Sequence, residues 1–403
     1  MIWISTFFCW FFLIVYSFKN WLEQDKYFRT LTVLRLASAL VFVFVYQNIY
    51  IGDLTDYLKL TSFWEKKPML EVLFTDKHVP SQISNEYRRI FFAKFFHFIH
   101  AINFSCLYLD AIIVALIGNI FLYKTYKIIN YRLEYKNITF CIALGFPSIL
   151  FWSSGICKEA LAFPALLFLS AYLWSKFSYT ERKFDKWKIK NWKVKSISIL
   201  FFSILILLEL RFFYLVFVLF VAYLFVLFKY YNKPWFWIAS VFLCVCYFFW
   251  QYLLMPQLQF EVILELVKLN YYQMIDLSNG SNFIQLNFQE NGNWNIYLAF
   301  LESYKGVFFV STTNLFVSFI SLENSLVFLL LFFGLLYYKK VEMRKEFYVM
   351  LLFTFVSAGF FCLVSPNYGC LSRYRIVFWF FLVWFGLEQL KSLPKIRRLL
   401  EKD

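Results

Sequence analysis

What the chain lacks bounds it first. There is no Walker-type Gly-rich loop, no GxGxxG turn and no Ser/His/Asp set, which argues against nucleotide-driven pumping. Its 3 histidines are His78, His97 and His100. The i, i+3 spacing of the last two would suit one metal, but no further Glu/His pattern completes a site. The 8 cysteines show no metal-ligand spacing. Most of them (Cys9, Cys106, Cys141, Cys244, Cys246, Cys362) lie inside apolar runs, where they act as small hydrophobes. No internal repeat, low-complexity tract or soluble domain is visible. Charged residues make up only 16% of the chain, and glycine and proline only 11 and 8 of 403 residues.

What is present is apolar. The hydrophobic fraction is 61% and the aromatic fraction 24%, well above a typical soluble domain. Runs such as 31–50, 235–255 and 347–365 are long enough to cross about 30 Å of hydrocarbon. The chain therefore reads as all-α, a polytopic transmembrane helical bundle. The formal net charge of +15 does not point to nucleic acid, because the Lys and Arg residues cluster in short hydrophilic connections. Lys176 to Lys195, Lys339 to Lys345 and Lys391 to Lys402 are such clusters, and they follow the positive-inside rule.

With those loops inside, the spans read 2–18, 31–50, 105–127, 137–154, 160–176, 196–209, 212–228, 235–255, 324–338, 347–365 and 376–391. That makes about eleven, with the N-terminus outside and the C-terminus inside. The segment 2–18 has no preceding basic residue and no small-residue cleavage site, so it reads as a retained span. In 90–104, Lys94, His97, His100 and Asn103 recur every third residue opposite a Phe face. This segment is expected to be an amphipathic helix lying in the interface. Two longer extracytoplasmic loops, 52–104 and 256–322, elaborate one membrane domain spanning 1–403. In the second, the Glu-Asn-Gly-Asn-Trp stretch at 290–294 reads as a turn.

Charged residues at the ends of the apolar runs are the candidates for chemistry, because ionisable groups at membrane depth are costly. Asp53 and Asp56, with Tyr57 beside them, follow the second span, where a carboxylate suits a general base. Lys158 and Glu159 open the span 160–176 after a Pro-Ser…Trp-Ser-Ser-Gly turn. Glu159 suits a helix N-terminus, whereas a lysine there gains only if an anion is near. Arg373 and Arg375 open the last span on the outer side, where guanidinium forks match phosphate oxygens. Arg211, with Glu209, is expected to form an ion pair between spans 196–209 and 212–228. Glu323 reads as the N-terminal carboxylate of span 324–338.

In order along the chain, Gly52-Asp53…Tyr57, the helix 90–104, Pro147-Ser148…Trp152-Ser153-Ser154-Gly155…Glu159 and Arg373-Tyr374 resemble the motifs of the GT-C glycosyltransferases. These are integral membrane enzymes that use polyprenyl-phosphate-linked sugars. The extra first span also looks like the polysaccharide polymerases of the EpsG/Wzy type. The resemblance implies a multi-pass enzyme of a bacterial plasma membrane, acting on its extracytoplasmic face. Its partners would be a polyprenyl-phosphate sugar, a glycan or lipid acceptor and membrane lipids, with no nucleic acid. Asp53, with Asp56, would be the catalytic base. Tyr57, Lys158, Glu159, Arg211, Arg373, Tyr374 and Arg375 would bind substrate, the cations near the lipid phosphate. No cofactor is implied, and a divalent cation is left open. A repeat-unit polymerase is one alternative. A transporter of lipid-linked glycan is another, although transporters of that kind are typically built from repeats.

Overall fold

The computed structural model describes residues 21–48, 53–65, 67–74, 87–133, 138–177, 193–230, 260–277, 293–308, 315–336, 354–361 and 368–390, with scattered single positions besides. The expected spans 2–18, 235–255 and 347–365 lie mostly or partly outside the described residues. Helix accounts for 88% of what is described and strand for 2%, so the chain is all-α. It divides into two compact units, Met1–Leu219 and Phe220–Asp403.

The first unit begins with α1 (Lys26–Asn48) and α2 (Asp53–Trp64), then α3 (Met69–Phe74), α4 (Tyr87–Ile102) and α5 (Leu107–Leu133). Two short helices follow, α6 (Ile138–Leu144) and α7 (Pro147–Trp152), then α8 (Glu159–Phe177), α9 (Lys193–Leu210) and α10 (Phe212–Tyr230), which runs past the unit boundary. Asp25 starts α1 by accepting the Phe28 N–H at 2.9 Å, the ordinary use of an N-cap carboxylate. The expected span 137–154 is instead two helices. Gly145 ends the first, and Pro147, which has no N–H to donate, stands where the second begins.

Helices α1 and α5 run antiparallel. The Tyr108 hydroxyl donates to Gln47 Oε1 at 3.2 Å, the Asn119 amide to Thr32 Oγ1 at 3.0 Å, and the Tyr126 hydroxyl to Asp25. Helix α8 packs on α5 at Gly118, where an added Cβ would lie 2.5 Å from the Ala160 carbonyl oxygen and 3.4 Å from Pro164 Cγ. Only a residue without a side chain allows that backbone approach. Helix α9 packs against both α8 and α4, and α4 packs against both α2 and α5.

The second unit holds α11 (Phe260–Leu277), a small hairpin, α12 (Ile296–Phe308), α13 (Leu315–Leu336), α14 (Tyr368–Tyr374) and α15 (Ile376–Leu390). The expected turn at 290–294 is this hairpin: β1 (Gln289–Glu290) pairs antiparallel with β2 (Asn293–Trp294), Glu290 opposite Asn293. Asn295 then caps α12, accepting the Tyr297 and Leu298 N–H groups at 3.0 and 3.1 Å. Helix α13 begins at Leu315, so Glu323 sits inside a helix and does not open one. Residues 376–385 of α15 are all buried, the pattern of a helix enclosed on every side.

Two described helices are long and apolar enough to cross a membrane, Lys26–Asn48 and Leu107–Asn130. Shorter apolar helices cover Ile90–Ile102, Glu159–Leu173, Ser198–Leu210, Ser321–Gly334 and Ile376–Leu390. Large apolar side chains face outward on several of them, among them Phe44, Phe201, Phe202, Phe319, Phe328 and Phe332.

Candidate functional site

The turn between α7 and α8 collects charge. Arg35, on α1, is fully buried; its Nη1 donates to Ser153 Oγ at 2.7 Å and its Nη2 to the Ser153 carbonyl at 2.6 Å. Those are its only acceptors among the described residues, so this guanidinium is matched by dipoles and by no carboxylate. Gly155 makes the turn possible, because a Cβ there would come within 2.2 Å of the Phe42 ring. Ser154 donates its hydroxyl back to the Leu150 carbonyl at 2.6 Å. Lys158 and Glu159 are both buried, and Arg211, just past the end of α9, forms an ion pair with Glu159. The expected ion pair of Arg211 thus exists, but its partner is Glu159 and not Glu209. A carboxylate in the first turn of a helix gains from the dipole as well as from the cation.

Asp53 is the first residue of α2 and Asp56 lies half-buried one turn on; Gly52 and the Asp53 side chain lie outside what is described. Tyr57 is fully buried, its ring 4.9 Å from Phe92 and 6.2 Å from Phe96. At the other end of α2, Trp64 meets the His97 ring edge-on at 5.7 Å. Helices α2 and α4 therefore run parallel where they touch.

The polar face of α4 is turned inward, contrary to the interfacial expectation for His97, His100 and Asn103. His97 and His100 are 4% and 6% exposed, and Asn103 is fully buried. The reason is Asp110, buried in the first turn of α5, which sequence reasoning passed over. His100 Nδ1 lies 2.5 Å from Asp110 Oδ2, and the Asn103 amide donates to Asp110 Oδ1 at 2.7 Å. Trp10 Nε1 donates to Asn103 Oδ1 at 3.0 Å and closes the chain of bonds. The chain reverses into α5 through Phe104 and Ser105, both at positive φ (56° and 60°). Burial pushes the His97 imidazole below its ordinary value, and the neighbouring His100 adds to this. An ionisable residue inside an apolar run was the signal that marked both Asp110 and Arg35.

In the second unit, Arg375 is buried and doubly engaged. It donates to Asn324 Oδ1 and Glu323 Oε2, each at 2.5 Å, and lies 5.2 Å above the Trp379 ring. Arg373 is half-buried, with its guanidinium 5.2 Å over the Tyr374 ring and 3.3 Å from the Tyr374 hydroxyl. Of the nine predicted positions, the first unit thus carries Asp53, Asp56, Tyr57, Lys158, Glu159 and Arg211, and the second Arg373, Tyr374 and Arg375. Among the described residues no three His, Cys, Asp or Glu side chains gather as a metal set.

Comparison with protein-family models, curated proteins and solved structures gives no match.

Proposed function

We propose that the chain is a multi-pass membrane glycosyltransferase that moves a sugar from a polyprenyl-phosphate donor to a glycan or lipid acceptor. Several spans, about eleven in the sequence reading, would cross the bilayer. Its distribution of side chains supports the bilayer: large aromatics face outward, while Arg35, Asp110, Glu159 and Arg375 are buried. Ionisable groups in membrane helices face the bundle interior in this way and tend to mark functional paths.

The observation that carries the reading is the α7–α8 turn, which brings two buried cations, Arg35 and Lys158, to the N-terminus of α8. Cations beside a helix N-terminus suit a phosphate, since the aligned N–H dipoles and the fixed positive charge act together. The donor already carries its phosphate leaving group, so fixed cations and one base suffice for a single displacement. Asp53, with Asp56, is the base that the resemblance implies, and Arg373 is a further candidate for holding phosphate. Arg375 fits that role less well, because it is already joined to Glu323.

The test is binding of undecaprenyl phosphate to the full chain in nanodiscs. Lys158→Gln should weaken it by about tenfold or more, the scale of one charge-assisted hydrogen bond. Unchanged binding in both Lys158→Gln and Arg373→Gln would overturn the phosphate role.

A further inference from the structure

We infer that His100, oriented by Asp110, is the base that takes the proton from the acceptor hydroxyl, in place of Asp53 or Asp56. The inference rests on the glycosyl-transfer reading for its substrate, but the geometry of the pair stands apart from it.

His100 presents its two ring nitrogens to different surroundings. Nδ1 is committed to Asp110, whose other oxygen is held by Asn103. A carboxylate on Nδ1–H fixes the tautomer, leaves the lone pair on Nε2, and stabilises the imidazolium that forms there. Nε2 has no partner among the described residues, yet it is not one of their sealed polar atoms. His97, one turn earlier, lacks that orienting bond: its Nδ1 is sealed and without a partner among the described residues. One histidine is thus oriented by a carboxylate, and the other is not.

Location favours the same pair. Tyr108 meets Gln47 near the end of α1, and the Tyr46 ring lies 6.4 Å from Trp152, just before the Ser153–Lys158 turn. The dyad at the start of α5 therefore lies towards the Trp152 side of the turn, about two helical turns along α5 from Gly118, where α8 packs. Helix α9, which leads into Arg211, touches both α4 and α8.

In the step, the acceptor oxygen attacks the anomeric carbon and forms the new C–O bond. The bond from that carbon to the phosphate oxygen breaks, and its electron pair leaves with polyprenyl phosphate. The hydroxyl proton moves to His100 Nε2, and Asp110 balances the resulting imidazolium.

With 3 histidines in the chain, diethyl pyrocarbonate labelling read site by site by mass spectrometry is a direct test. The full chain is labelled in nanodiscs, with and without undecaprenyl phosphate. His100 should label faster than His97, and Asp110→Asn should slow it by roughly tenfold or more through loss of the orienting partner. Undecaprenyl phosphate should protect it. Labelling that depends on Asp110 but is not protected keeps the dyad and sinks the polyprenyl-phosphate substrate. An unreactive His100, or a rate unchanged in Asp110→Asn, overturns the dyad whatever the lipid does. If Asp110→Asn does not purify as a folded protein, wild type decides: His97 labelling faster than His100 overturns the assignment.

Discussion

Glu159 shows how much depends on a single buried charge. Its side chain is fully enclosed and Arg211 is its ionic partner. Removing one member of such a pair strands the other in a low dielectric, which costs more than the pair itself contributes. Arg211→Ala is expected to destabilise the protein by about 3 kcal/mol, read as a fall in the thermal midpoint in detergent. Replacing both charges together, by Glu159→Gln with Arg211→Gln, should recover most of that loss, and a double variant as unstable as the single one would contradict the pairing. His97 supplies a pH dependence. Its folded value lies below the unfolded one of about 6.5, so the unfolded chain takes up the proton first on acidification. Stability at this position is full above pH ~6.5 and is lost as pH falls through the lower folded value. The midpoint should decline in that window in wild type and decline less steeply in His97→Gln.

At the scale of elements, two glycines decide how closely helices approach. Gly118→Ala would push a methyl into the Ala160 carbonyl, and Gly155→Ala would push one into the Phe42 ring. Each should cost about 1–3 kcal/mol as overpacking, measurable as a lower thermal midpoint. Gly118→Ala should be the costlier, because backbone yields less than a side chain. Six of the described helices were legible in the sequence, since the spans 31–50, 105–127, 160–176, 196–209, 212–228 and 376–391 each have a helix of nearly the same extent, whereas α2, α3, α11 and α12 lie in 52–104 and 256–322, which read as loops. The break at Gly145–Pro147 was missed, because an apolar run of adequate length hides a proline that merely ends one turn and starts another. Of the candidate site, the Ser153–Glu159 turn was readable from its composition. Glu159 as partner of Arg211, and Asp110 as partner of His100, were not, because each pairing joins residues on different helices and leaves no local spacing.

At the scale of the whole molecule, the arrangement of apolar and charged side chains makes a prediction of its own. Outward rings such as Phe201 and Phe319, at 62% and 67% exposure, need an apolar surrounding. The expressed chain should therefore stay in the membrane pellet through an alkaline carbonate wash and be released only by detergent. Release by the wash alone would contradict the bilayer reading. The lone buried guanidinium of α1 then has a consequence for biosynthesis. Arg35 finds its acceptor 118 residues later in the chain. At about 5–20 residues per second, Arg35 is synthesised roughly six to twenty-four seconds before Ser153. On the bilayer reading, the translocon, its water or the lipid headgroups must shelter the cation during that interval, and α1 would settle at its final depth only after α7 arrives.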